Sequence, residues 1–145
     1  MIRRVGEPVK RGQAYRHRPG AYAILLRGDS VLLTHQADPV PEFQLPGGGI
    51  DPGEHPLPAL HREVFEETGW KIANLRRLGA FRRFTWMPEY EIWAEKLCMI
   101  YRADPVYPLG EPTEPGHTAL WMPARLAARE LGNPGERSFV SRLFG

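Results

Sequence analysis

Cysteine is almost absent from these 145 residues: Cys98 stands alone, which excludes an intrachain disulfide and a multi-cysteine zinc site. Long apolar runs are absent too. The longest clean one, Ala21 to Leu26, is far short of the roughly 18 residues that a membrane-spanning helix needs, and the N-terminus has no basic-then-apolar pattern of a secretory signal. A cytoplasmic setting with no membrane association is therefore expected. The glycine run Gly47-Gly48-Gly49 is not followed by Gly-Lys-Ser/Thr, which removes a Walker-type phosphate cradle. No internal repeat is present. What remains is globular composition, 42% apolar and 25% charged, in a chain long enough for one core. The 15 Pro and 15 Gly have no fixed period and mark loops between short elements.

The net charge of +2 conceals an asymmetry. Residues 1 to 18 hold six Lys/Arg (Arg3, Arg4, Lys10, Arg11, Arg16, Arg18) against Glu7, and the rest of the chain is acidic. Residues 1–18 thus form a basic N-terminal arm, either a merely solvated terminus or a contact for the phosphates of a nucleotide or of RNA.

Ala21 to Leu26 and Val31 to Thr34, joined by Arg27-Gly28-Asp29-Ser30, read as a hairpin. Leu57, Leu60 and Val64 carry helical spacing, with Pro58 early and Gly69 at the end, so Leu57 to Thr68 is predicted as a helix. Ile72 to Leu78, Ala80 to Trp86 and Ile92 to Tyr101 are rich in branched and aromatic residues and are predicted strands. Asp104 to Gly116, with four Pro and two Gly, is a predicted surface loop, and Pro123 to Leu131 and Ser138 to Phe144 are predicted short helices. Strands alternating with one strong helix indicate a layered α/β or α+β domain.

The chemistry lies in residues 48–70. Glu63, Glu66 and Glu67 stand at i, i+3 and i+4, which gathers three carboxylates on one helix face. Like charges so placed repel, and hard oxygen ligands suit Mg²⁺, Mn²⁺ or Ca²⁺. An ordinary solvated face, with Arg62 paired to Glu66, is the alternative for such a cluster taken alone.

Its flanks favour the metal reading. Gly48, Glu54, Arg62-Glu63-Val64, Glu66-Glu67 and Gly69 stand at the spacing of the Nudix box, and the segment resembles the Nudix hydrolase superfamily at every fixed polar and glycine position. Only Trp70 departs, where an aliphatic residue is usual. The resemblance implies an α/β/α sandwich with a mixed β-sheet across residues 19–145. It also implies Mg²⁺-dependent (or Mn²⁺-dependent) cleavage of a nucleoside diphosphate linked to another moiety, by attack of water on phosphorus.

Carried onto this sequence, the metal ligands are Glu63, Glu66 and Glu67, with the carbonyl of Gly48 or of Gly47 as a further oxygen. Arg62 and Glu54 become the ion pair that supports them. The catalytic base is Glu66 or Glu63, with Glu114 the downstream alternative and Glu111 and His117 its neighbours. No ligand role follows for His55 or His61. Phe81, Phe84, Trp86, Tyr90 and Trp93 cluster beyond the box; most belong in a core, while Trp86, Arg82 and Arg83 are the candidate substrate contacts. The subgroup stays open: Thr85 stands where the ADP-ribose subgroup carries proline, and Gly47 where dinucleoside polyphosphate and RNA-end hydrolases usually carry glutamine. A catalytically silent nucleotide-sensing domain and an RNA 5′-end pyrophosphohydrolase are the alternative functions. The expected assembly is a monomer or a homodimer.

Overall fold

The computed structural model describes residues 2–38 and 40–144. Among these residues eight strands form one mixed sheet: β1 (Arg3–Val5), β2 (Arg16–Arg27), β3 (Ser30–Gln36), β4 (Glu42–Gln44), β5 (Gly47–Gly49), β6 (Trp70–Met87), β7 (Ile92–Pro108) and β8 (His117–Pro123). Three helices among them complete it: α1 (Pro56–Thr68), α2 (Ala124–Glu130) and α3 (Pro134–Phe144). The strand order is β1-β6-β7-β2-β3-β4, with β5 also on β2 and β8 on β3. The pairs β1/β6 and β2/β7 are parallel and the others antiparallel.

Alternation along the central strands produces the layers. On β2, Ala21, Ala23 and Leu25 face one side, where they pack with Leu60 and Val64 of α1 and with Tyr101 and Ala103 of β7. Ile24 faces the other, with Ile100, Phe81, Ala127, Phe139 and Val140 of α2, α3 and their strands. Period 2 thus splits the core into two halves, and helices on both faces of a mixed sheet make the expected α/β/α sandwich. Among the described residues no helix is long and apolar enough to cross a membrane.

The helix α1 is fixed at both ends. The His55 ring nitrogen accepts from the Leu57 amide at 3.2 Å, proline occupies the first turn, and Gly69, with φ +76°, donates to the Phe65 carbonyl in the left-handed geometry that favours glycine. Leu60 and Val64 are fully buried, each worth about 1.5–3 kcal/mol.

Three expectations change. Ile72–Leu78 and Ala80–Trp86 are one strand: register shifts between Ala73/Arg76 and Arg77/Gly79 are bulges that bend β6 without ending it. Asp104–Pro108, expected to open a loop, continues β7 instead. β2 pairs with β7 only as far as Ala103, so beyond it β7 is bonded on one side, where proline is tolerated. Last, two pieces of the expected basic arm, Arg3–Val5 and Arg16–Arg18, lie in strands. Arg3–Val5 pair with Phe81–Arg83, and Arg16–Arg18 already belong to β2, so the boundary expected after residue 18 falls inside a strand.

Candidate active site

Glu63 and Glu67 on the acidic face of α1 line a cleft of about 500 Å³, and Glu66 stands outside that lining. Arg62 organises this wall. Its guanidinium donates to both Glu54 carboxylate oxygens at 3.1–3.3 Å, to Glu63 at 3.1 Å and toward Glu66 at 3.5 Å. The fork matches a carboxylate in two places at once, which lysine does not. The Asp51 amide donates to Glu54 as well, and that bond and Arg62 hold the Glu54 carboxyl below its usual range. The loop entering α1 is thereby tied to its middle.

Glu67 points inward. Its carboxylate accepts from the Gly47 amide at 2.9 Å and lies 3.7 Å from His117 Nδ1, too far for a hydrogen bond; that nitrogen is buried without a partner. With only 7% of the residue exposed, burial pushes the Glu67 carboxyl up to about 8 against the Gly47 bond, and Glu63, Glu114 and Glu136 add to the rise. Burial also raises Glu63, against the attraction of Arg62.

Glycine is required under these acids. Gly47 has φ +148°, and a Cβ there would collide with the Ala21 carbonyl oxygen. A Cβ on Gly48 would lie 2.6 Å from the Glu63 carboxyl carbon, so the close approach of loop and carboxylate depends on its absence.

Glu114 is better held than a Pro-rich loop suggests. Its amide and that of Thr113 donate to the Glu66 carbonyl at 2.9 and 2.8 Å, which docks the loop on the C-terminal end of α1, close enough for Glu114 to raise Glu63 and Glu67.

Across the cleft stand Arg18, Arg83, Trp86, Tyr90 and Lys96. Arg82 does not line it. Neighbours on a strand face opposite ways, and Arg82 turns to Glu95 at 3.6 Å while Arg83 enters the cleft, so of the two arginines only Arg83 can contact a ligand there.

Several lining residues escaped the sequence reading, among them Lys96, Tyr22, Asn133 and Glu136. Tyr22 is enclosed beneath the glycine loop, and burial holds its hydroxyl well above the usual range. Glu136, 4% exposed, accepts from the Leu45 amide at 3.0 Å, and burial pushes it up to about 7. Asn133 caps α3, accepting from the Gly135 and Glu136 amides. Asn at the cap with Glu three residues on is a readable start signal, and it puts the helix four residues before the expected Ser138.

Buried carboxyls with raised affinity for protons, beside backbone carbonyls, are hard donors suited to a divalent cation. Among the described residues no three His, Cys, Asp or Glu side chains are gathered around one point: Arg62 draws Glu63 and Glu66, and Gly47 draws Glu67. The donor chemistry fits a metal, with side-chain rotation needed to close the set.

The NUDIX domain model matches residues 16–143. The chain belongs to the Nudix superfamily. Over 74 residues, 51% of this chain and 50% of the relative, it is 35% identical to a Bacillus subtilis protein provisionally named an 8-oxo-dGTP diphosphatase. Over 59 residues, 37% of this chain and 38% of the relative, it is 42% identical to an RNA pyrophosphohydrolase of Helicobacter pylori. The matched segments thus span half or less of these relatives. A Nudix hydrolase of Nitrosomonas europaea superposes with a TM-score of 0.70 at 18% identity, over 88% of this chain and 90% of its own, a likeness of fold.

Proposed function

We propose that the protein is a divalent-metal-dependent pyrophosphohydrolase that cleaves a nucleoside diphosphate linked to another moiety. One observation carries the reading: carboxylates braced by Arg62 and Glu54, together with the cations Arg18, Arg83 and Lys96, line one nucleotide-sized cleft. Such a lining suits a phosphate chain with metal on one side and cationic side chains on the other.

Glu63, Glu66 and Glu67, with the Gly48 carbonyl, would hold Mg²⁺ or Mn²⁺, which when bound neutralises phosphate charge and acidifies water. Arg62 and Glu54 keep those carboxylates oriented. Arg83 and Lys96 bind the phosphate chain or the group beyond it, and Trp86 offers a ring for a base. Water gives its proton to a glutamate of the box, Glu66 or Glu63, because a helix fixes those groups most rigidly. Glu114 is the alternative base.

The test is hydrolysis of a panel of canonical and oxidised nucleoside triphosphates, nucleotide sugars, ADP-ribose, dinucleoside polyphosphates and triphosphorylated RNA. Activity with Mg²⁺ that EDTA abolishes, and ¹⁸O from solvent in a phosphate product, is expected. Label in the carbon-bearing leaving group, or turnover in EDTA, would overturn it. Glu114→Gln should retain measurable turnover; a collapse with metal affinity unchanged would move the base to the loop.

A further inference from the structure

A second cavity, of about 530 Å³, lies where β1 begins and α3 ends, and it shares no lining residue with the cleft. Arg3, Arg77 and Arg142 line it around Leu78, Gly79 and Phe139, and no Asp or Glu does so among the described residues. The arginines come from three distant parts of the chain. Arg3 stands beside Phe81 in the parallel β1/β6 pair, and residues paired in register project from the same face of a sheet. Phe81 packs on Phe139 of α3, ring centroids 6.2 Å apart, so Arg3 projects toward α3. Arg142 follows Phe139 by three positions, on the same side of the helix. Its guanidinium lies 4.5 Å over the Phe139 ring and donates to the Ser138 hydroxyl at 3.2 Å. Arg77 borders the same space from the bulge that precedes Gly79.

The arginines that the fold itself uses have their acceptors in place. Arg62 is tied to carboxylates and Arg82 to Glu95, while Arg4 and Arg137 donate to backbone carbonyls. Around the second cavity the acceptors are missing. Among the described residues no carboxylate pairs with Arg3, Arg77 or Arg142, and the Ser138 hydroxyl that Arg142 reaches is neutral. Like charges around one space repel, and the Phe139 ring holds one of them there against that repulsion. The backbone adds to the effect. β1 covers β6 only at Phe81–Arg83, so Arg77–Ala80 have no strand on that side, and an open sheet edge is itself a concavity that favours anions. Leu78, 39% exposed, and Ile2 supply apolar surface beside the charges.

We propose that this cavity binds a small phosphomonoester, its phosphate among Arg3, Arg77 and Arg142 and its organic part against Ile2 and Leu78. The site is independent of what the cleft hydrolyses. A phosphomonoester carries roughly two negative charges and several acceptor oxygens near neutral pH, which answers a group of arginines better than one carboxylate does. Planar guanidinium forks match phosphate oxygens two at a time. An anionic membrane fits less well, because a headgroup layer calls for cations spread over a face, whereas these surround a recess.

The test reads the two sites separately. Amide NMR spectra of the full chain in EDTA, titrated with phenyl phosphate, inorganic phosphate or chloride at constant ionic strength, report the cavity at Gly79, Ala80 and Arg142 and the cleft at Gly47 and Gly48. Expected are saturable shifts at the cavity amides with both phosphates, tighter binding of phenyl phosphate than of inorganic phosphate, and no saturation with chloride. Arg3→Ala and Arg142→Ala, at exposed positions that leave the fold intact, should each weaken phenyl phosphate at the cavity by about tenfold. Any shifts at Gly47 and Gly48 should stay as they are in the unmodified chain. Absence of saturation at Gly79 and Ala80, an equal response to chloride, or an affinity for phenyl phosphate no greater than for inorganic phosphate would overturn the proposal. So would an affinity that either variant leaves unchanged. Co-sedimentation with phosphatidic acid vesicles that Arg142→Ala abolishes, without a response to the soluble phosphates, would give the cavity to a membrane and overturn it as well.

Discussion

The acidic wall of the cleft comes from one continuous stretch, residues 48–70, whereas the facing wall draws Arg18 from β2, Arg83 and Trp86 from β6, Lys96 from β7 and Glu136 from α3. Each wall is unfavourable by itself. Glu63, Glu66 and Glu67 crowd like charges at i, i+3 and i+4, and Arg83 sits directly opposite Lys96 in the ladder, where like charges also repel. The helix contributes crowded carboxylates and the facing wall the cations Arg18, Arg83 and Lys96, so a ligand with both cation and phosphate relieves both. They differ in how they are held. Arg62 fixes the acids through neighbours in sequence, while sheet register alone sets the cations side by side.

The largest effect should come from the acids themselves. Glu66→Gln and Glu67→Gln should each lower turnover by orders of magnitude with the fold intact, since the glutamine side-chain oxygen in the Glu67→Gln variant can still accept from the Gly47 amide. Circular dichroism and steady-state kinetics at saturating Mg²⁺ check this; near-normal turnover in either variant would sink the proposed metal site. Next comes the brace. Arg62→Ala frees Glu54, Glu63 and Glu66 together, and a loss of about 10 to 100-fold in metal affinity or turnover is expected. An equal effect from Arg82→Ala, which lies outside the cleft, would erase the contrast between an organised wall and general surface charge.

That contrast also governs what the sequence discloses. The helix α1, its acid face and its glycine stop follow from spacing and capping within residues 48–70, and the β2–β3 hairpin from two apolar runs around Gly28. The basic wall has no such local code. Arg82 and Arg83 are indistinguishable as letters, and only the strand's alternation separates them. Glu136 reaches the Leu45 amide across 91 positions, a distance no local pattern spans. Asp104–Pro108 is hidden by its prolines, which block a central strand but not one bonded on a single side.

Glu136 gives a pH test of the facing wall. Its carboxyl is raised from 4.5 to about 7, so between those values the folded chain keeps a proton that the unfolded chain has released. The stabilisation is complete below the unfolded value and is lost as pH rises through about 7, on the order of 3 kcal/mol. Glu136→Gln keeps an acceptor for Leu45 and removes the titration. Urea midpoints of metal-free protein from pH 5 to 8 should therefore fall less steeply in the variant; parallel curves would refute the assignment. Glu67, raised to about 8, leaves a residual slope of the same sign.

The smallest effect is expected at Cys98, on the floor between the walls. It pairs across the ladder with Phe81 and lies in the α2/α3 half of the core, where burial pushes its thiol up to about 12. At neutral pH almost no thiolate exists to act as a nucleophile, and the side chain serves as a small apolar filler. Cys98→Ala should keep kcat and KM within about twofold and lose about 1 kcal/mol of stability, the ordinary cost of trimming one buried atom. Thiol-directed alkylation of the folded protein should be slow and should track unfolding. A folded, inactive Cys98→Ala would mean that the floor contributes chemistry, and the division of labour between an acidic and a basic wall would have to admit a third participant.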